Sequence, residues 1–211
     1  MVVLYKYVYA CIVFHFQGNG SYNISADNNP LMRKLTGSDA SLRWAQPEAR
    51  KRFFELRSGS DVIATLGWEK AFGTLATAQT ADATWTFKRV GFFNTRVTVR
   101  SPGSETDLAT FKPSWGYGGT LEVKGRAYVW QKLDFWGNRW GFTWHDGTLI
   151  TSFQYTGGPG TLFKLEGTVD LAPGNVSTNP DVPLLITLGW YIMVLMWDDN
   201  AAAGGAVVAT M

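Results

Sequence analysis

Lys88, Arg89, Arg96, Arg100 and Lys112 carry the most suggestive chemistry in this chain. Arg96, Thr98 and Arg100 alternate with Val97 and Val99, so a strand here puts both arginines on one face and both valines on the other. With the valines turned to a core, the arginines face outward. Lys88 and Arg89 close the preceding strand-like run, and Lys112 closes the following one. Gathered on one surface, these cations would grip phosphate oxygens, Arg by charge-assisted hydrogen bonds and Lys as a point charge. Arg50-Lys51-Arg52, just before another strand-like run, offers a second anionic contact. The competing reading is the solvated outer face that any soluble barrel needs.

Other chemistries find less support. Of the two histidines, His15 and His145, the second adjoins Asp146, but Trp144-His145-Asp146-Gly147 reads as a hairpin with Asp-Gly at its turn. No Ser occupies a Gly-x-Ser-x-Gly elbow. The carboxylates Asp61, Glu105, Asp107 and Asp134 are scattered singly, and no His, Cys or acid cluster has metal-ligand spacing. The glycine-rich runs 116–119 and 157–160 open no helix, so neither is a phosphate loop. No catalytic residue, metal or cofactor is expected. A carboxylate pair distant in sequence is the enzyme alternative.

The elements that must carry these cations are short strands. Candidate segments are 42–46, 51–57, 61–67, 73–79, 84–90, 95–101, 106–112, 119–124, 127–133, 139–145, 148–155 and 161–170. Turn residues such as Ser58-Gly59-Ser60 and Ser101-Pro102-Gly103-Ser104 separate them, and this spacing argues for a sandwich or barrel. Residues 57–66, 100–111 and, more weakly, 144–153 echo one another as strand, polar turn, strand. Abundant Trp and Gly suit the same class.

Helical character begins only at Val182. Residues 182–197 are apolar on every side, so as a helix they must be buried in protein or in lipid. The run would rise about 24 Å, short of a bilayer core of about 30 Å. Asp181 suits the N-cap and Pro183 the first turn, while Asp198 and Asp199 read as a stop. No Lys or Arg follows position 164. A core helix is therefore expected over a tail anchor. A closed barrel of roughly twelve antiparallel strands is too wide for its own side chains to fill, and this helix is a suitable filler.

The domain plan that follows is a mainly β barrel over 41–200 with its central helix at 182–197. An extension and linker precede it at 1–40, and a flexible Ala/Gly tail follows at 201–211. Met1 to Phe16 is apolar but lacks a basic start and a small-residue cleavage site, so no secretory signal is expected. Cys11 is the sole cysteine, which points to a reducing compartment. A net charge of +2 is too small to argue for nucleic acid.

Phe53-Phe54-Glu55-Leu56-Arg57 with Val62 to Trp68, Trp85 to Phe93, Phe135-Trp136-Gly137 and Leu184 to Trp197 together resemble the tubby C-terminal domain superfamily. That group includes phospholipid scramblases and LURP-one-related proteins. The likeness covers about Leu42 to Asn200 and consists of patterns rather than signatures. It implies a twelve-stranded barrel threaded by a C-terminal helix. It also implies a role on lipid headgroups, which tubby domains hold with exposed strand-borne Lys and Arg. The leading expectation is a non-enzymatic module for anionic headgroups or another phosphorylated partner, cytoplasmic and peripheral at the membrane. The alternatives are a scramblase-like protein anchored by 182–197 and a structural or protein-interaction domain.

Overall fold

The computed structural model describes residues 32–39, 41–49, 51–70, 73–91, 95–156 and 164–208. Cys11, His15, Arg50, most of the expected extension and the start of the expected strand 161–170 lie outside them. Twelve strands follow in chain order: β1 (Leu42–Ala45), β2 (Phe53–Ser58), β3 (Asp61–Trp68), β4 (Ala76–Thr80), β5 (Thr84–Val90), β6 (Arg96–Arg100), β7 (Ala109–Pro113), β8 (Gly119–Val123), β9 (Arg126–Lys132), β10 (Arg139–Thr143), β11 (Leu149–Tyr155) and β12 (Gly167–Leu171). Each pairs antiparallel with its chain neighbours, and β12 returns to β1 through Leu42↔Val169 and Trp44↔Gly167, closing the barrel. A short helix α1 (Asn175–Thr178) leads into α2 (Val182–Val208).

Alternation decides the two faces of the wall. Phe87, Val97, Val99, Phe111 and Leu121 point inward and are buried, and polar residues between them face out. Inside lies α2, whose residues from Leu184 to Met196 are almost all buried. Trp190 stacks on Trp44 at 5.8 Å, and Tyr191 stacks on Trp68 at 5.5 Å. The expected closed barrel with a central apolar helix is the observed fold. The helix segment that is long and apolar enough to cross a membrane has 78% of its apolar window buried in this barrel.

Two boundaries differ from expectation. The helix does not stop at Trp197 but runs to Val208, through the stretch expected to be a flexible tail. Asp198 and Asp199 fail to end it because they lie well before the last turn and meet Arg52 and Arg89 at 2.6 and 2.7 Å. Ala201-Ala202-Ala203 then favours continuation. At the other end, residues 32–39 are not a free linker. The Arg33 amide donates to the Val62 carbonyl at 2.9 Å, and its guanidinium bridges Asp39 and Asp61. Burial would raise the Asp39 carboxyl, but hydrogen bonds from Arg33 and Thr36 hold it well below the usual range.

Three tyrosines tie the helix to the wall. The Tyr191 hydroxyl donates to the Thr74 carbonyl at 2.5 Å and accepts from the Arg89 amide at 3.1 Å. Tyr155 donates to the Met193 carbonyl, and Tyr128 donates to Asp181 at 2.7 Å. Burial pushes the phenols of Tyr155 and Tyr191 well above their ordinary value, and burial with the neighbouring Asp181 pushes Tyr128 up to about 12. The unfolded chain therefore releases these protons first. Stability is complete below the unfolded value of about 10, declines as pH rises beyond it, and is lost through the higher folded values. A series of thermal melts should show a level Tm up to about pH 10 and a steep fall above it. A Tm that stays level well past that point would mean the phenols already ionise in the folded barrel.

Candidate functional site

The hairpin connections sort to two ends. The turns after β2, β4, β6, β8 and β10 surround the start of α2, and those after β1, β3, β5, β7 and β9 surround its exit. The sequence-derived cations lie on β5, β6 and β7, on the half of the wall nearer the exit or, for Arg100, at the opposite edge.

Strand alternation separates them. Lys88 pairs with Thr98, Arg96 faces Val90, and Thr98 pairs with Thr110, so Lys88, Arg96, Arg100 and Lys112 all occupy outward positions. Arg89 does not. It follows the inward Phe87 by two residues and turns into the barrel mouth, where both nitrogen–oxygen contacts to Asp199 are below 3.0 Å (2.9 and 2.7 Å). The expected patch of five thus loses Arg89 to the helix, because one position along a strand reverses the face.

The outward four differ in what already holds them. Arg100 is gripped by Asp107 at 2.6 Å and Glu105 at 2.9 Å, and the Asp107 hydrogen bond chiefly raises its pKa. That neutralises it as an anion site. Lys112 meets Glu122 at 3.1 Å, but both side chains are well exposed, so the pair is worth about 0–1 kcal/mol and yields easily. Lys88 and Arg96 are exposed and make no ion pair among the described residues. Arg96 and Lys112 each lie one residue beyond the Val97–Phe111 pair, on the same edge of the two strands. Three cations on three adjacent strands thus stand together with Glu122, which pairs only with Lys112 among the described residues, while the buried Thr98 hydroxyl donates to the Lys88 carbonyl at 3.4 Å.

Of the second basic cluster, Arg50 lies outside the described residues. Lys51 pairs with Glu48 at 2.6 Å, and Arg52 holds Asp198 while lying 4.6 Å over the Trp68 ring. Burial raises the Asp198 carboxyl, and Arg52 opposes that shift.

No family model, curated protein or solved structure matches this chain.

His145 sits exposed in the expected turn. Asp146 accepts the Thr148 amide at 2.8 Å, which holds its carboxyl below the ordinary range, and Gly147 takes a left-handed φ of 85°. Near the start of α2, a cavity of about 330 Å³ is walled by Leu35, Ile63, Val176, Pro183 and Ile186. Its charged residues, Lys34 and Asp82, pair with each other at 2.9 Å, so among the described residues no titratable pair there is free for proton transfer.

One group of surface residues escaped the sequence reading. Trp115, Tyr117, Phe135, Trp136 and Trp197 are exposed, and all cluster at the exit end of α2. Their abundance was visible as strand-forming aromatics. The usable signal was their setting in Gly-flanked runs, Trp115-Gly116-Tyr117-Gly118 and Phe135-Trp136-Gly137, outside any alternating pattern.

Proposed function

We propose that this barrel is a non-enzymatic binding module for a phosphate-bearing anionic partner, a lipid headgroup or a phosphorylated ligand. The observation that carries this reading is the cation trio Lys88, Arg96 and Lys112 on neighbouring strands, with Glu122 as the one acid among them in the described residues. Like charges held this close repel, and a bound anion relieves that repulsion. Arg supplies directed hydrogen bonds and the lysines a compact charge. The resemblance to tubby-like domains favours a headgroup, and with it a cytoplasmic place at a membrane surface. Burial of residues 184–196 inside the barrel weighs against the anchored, scramblase-like alternative.

Sedimentation with phosphatidylserine-containing vesicles and calorimetry with soluble tripolyphosphate test the two sources of phosphate. Each cation near an anionic surface contributes about 1 kcal/mol, so Lys88→Ala with Arg96→Ala should weaken vesicle binding about 30-fold. The interaction should also fade as salt shortens the screening length. Arg100→Ala, already neutralised by two acids, should change little. Equal binding by wild type and the double variant would refute the proposal.

A further inference from the structure

Of the six large hydrophobic side chains that stand exposed among the described residues, five lie at one end of the barrel, and the sixth, Leu108, is at the other. Trp115 is 101% exposed, Phe135 86% and Trp136 81%. These are not frayed tips. Asp134 accepts the amides of Gly137 and Asn138 at 2.7 and 3.0 Å, and the Trp140 indole donates to the Gly137 carbonyl at 2.9 Å, which fixes the loop that presents Phe135 and Trp136. In the connection between β7 and β8, the Ser114 amide donates to the Gly118 carbonyl at 2.7 Å. Tyr117 is held at a φ of 68°, rare for a side chain of its size, and its hydroxyl reaches Asn200 on α2 at 3.0 Å. The chain thus maintains a strained turn that leaves Trp115 in water.

Cations outnumber acids here. Lys70 and Lys132 sit at the same end and, like Lys88 and Arg96, make no ion pair among the described residues, while of the unpaired acids there, Glu69 and Asp134, the second is occupied by the Gly137 and Asn138 amides. From Asn200 to Val208 the emerging helix carries no charged residue. Exposed rings on fixed loops, with Phe135 packed edge-on against Trp136 at 5.3 Å and unpaired cations at the same end, suit a soft interface better than a protein partner. A protein would need a pocket for each tip, whereas the bilayer–water boundary admits amphipathic rings at any spacing and favours Trp and Tyr there.

We infer that the barrel docks end-on to a lipid bilayer, with Trp115, Phe135 and Trp136 inserted at the headgroup level and the α2 exit facing the membrane. The inference rests on the anion reading only for its preference for anionic lipid, since ring insertion also works on neutral lipid. Burying one such ring is worth at least about tenfold in partition.

The test uses the full chain with vesicles of phosphatidylcholine, plain or bromine-labelled on the chains, and with added phosphatidylserine. Bromolipid should quench the Trp fluorescence of wild type, and quenching should persist in high salt. Trp115→Ala and the pair Phe135→Ala with Trp136→Ala should each lose about tenfold or more in vesicle partition, with unchanged melting and unchanged tripolyphosphate binding. Lys88→Ala with Arg96→Ala should lose the gain from phosphatidylserine yet keep the quenching. Absence of quenching, or aromatic variants that sediment like wild type, would overturn end-on insertion. So would a wild-type dimer in buffer that these substitutions convert to monomer, since the rings would then serve self-association. Failure of tripolyphosphate binding with quenching intact would instead remove the anion reading alone.

Discussion

Trp190→Ala is expected to lower the free energy of unfolding by about 3–5 kcal/mol, the range for emptying a large aromatic site in a core. Trp190 is fully buried at the barrel axis. It stacks on Trp44 within 5° of parallel, meets Phe54 edge-on at 5.9 Å, and lies 6.0 Å from Tyr155. These partners come from β1, β2 and β11, so the hole would open between three strands that a closed barrel cannot draw together. The indole nitrogen makes no hydrogen bond, so its removal leaves no acceptor unpaired and the whole loss is packing. Urea unfolding monitored by circular dichroism reads the effect as a lowered midpoint at constant slope. A loss under about 1 kcal/mol would mean that the wall collapses onto the smaller residue and that the helix is not the filler its burial indicates.

Gly167→Val is expected to be destabilising by about 1–3 kcal/mol or more, against the local preference of a strand for Val. Gly167 opens β12 and pairs with Trp44 on one side and Tyr155 on the other. A Cβ built there would lie 2.6 Å from Trp190 Cζ3, 2.8 Å from Cη2 and 2.7 Å from the Gln154 carbonyl oxygen. Trp44 stacked on the ring and Phe54 edge-on against it restrict its movement. Propensity and packing therefore predict opposite signs, which makes the sign itself the measurement. The two substitutions also share one space. In a Trp190→Ala background the ring that the introduced valine strikes is gone, so the double variant should be more stable than the sum of single losses implies, by at least about 0.5 kcal/mol. Strict additivity would show that the Gln154 backbone, rather than Trp190, makes the glycine necessary.

How far the candidate site was legible depends on which residues are considered. Arg96 and Arg100 were placed outward by Val97 and Val99, because a period of two leaves no other arrangement when the valines are buried. Arg89 was misplaced because the end of a run, Phe87-Lys88-Arg89-Val90, does not reveal which basic residue shares parity with the core. The acids that neutralise Arg100 were in view at positions 105 and 107, yet their reach across the turn was not. The aromatic tips were hidden more thoroughly. A Trp in the sequence does not say whether it faces a core, and only the fold sends Trp44 and Trp190 inward while Trp115 and Trp136 stand in water.

The architecture follows from residue pattern alone. Short alternating runs divided by turn residues demand a sheet, and a helical run over 182–197 with no charge and no polar face demands a container. Those two requirements have a joint solution in a barrel around a rod, because hydrophobic burial depends on local pattern and on total apolar area. Everything that depends on proximity across the sheet had to wait for the folded wall: closure of β12 on β1, the capture of Asp198 and Asp199 by Arg52 and Arg89, and the gathering of exposed rings at one end. The reason is range. Periodicity acts within a few residues, whereas an ion pair such as Arg52–Asp198 joins groups 146 positions apart that only the closed wall brings together.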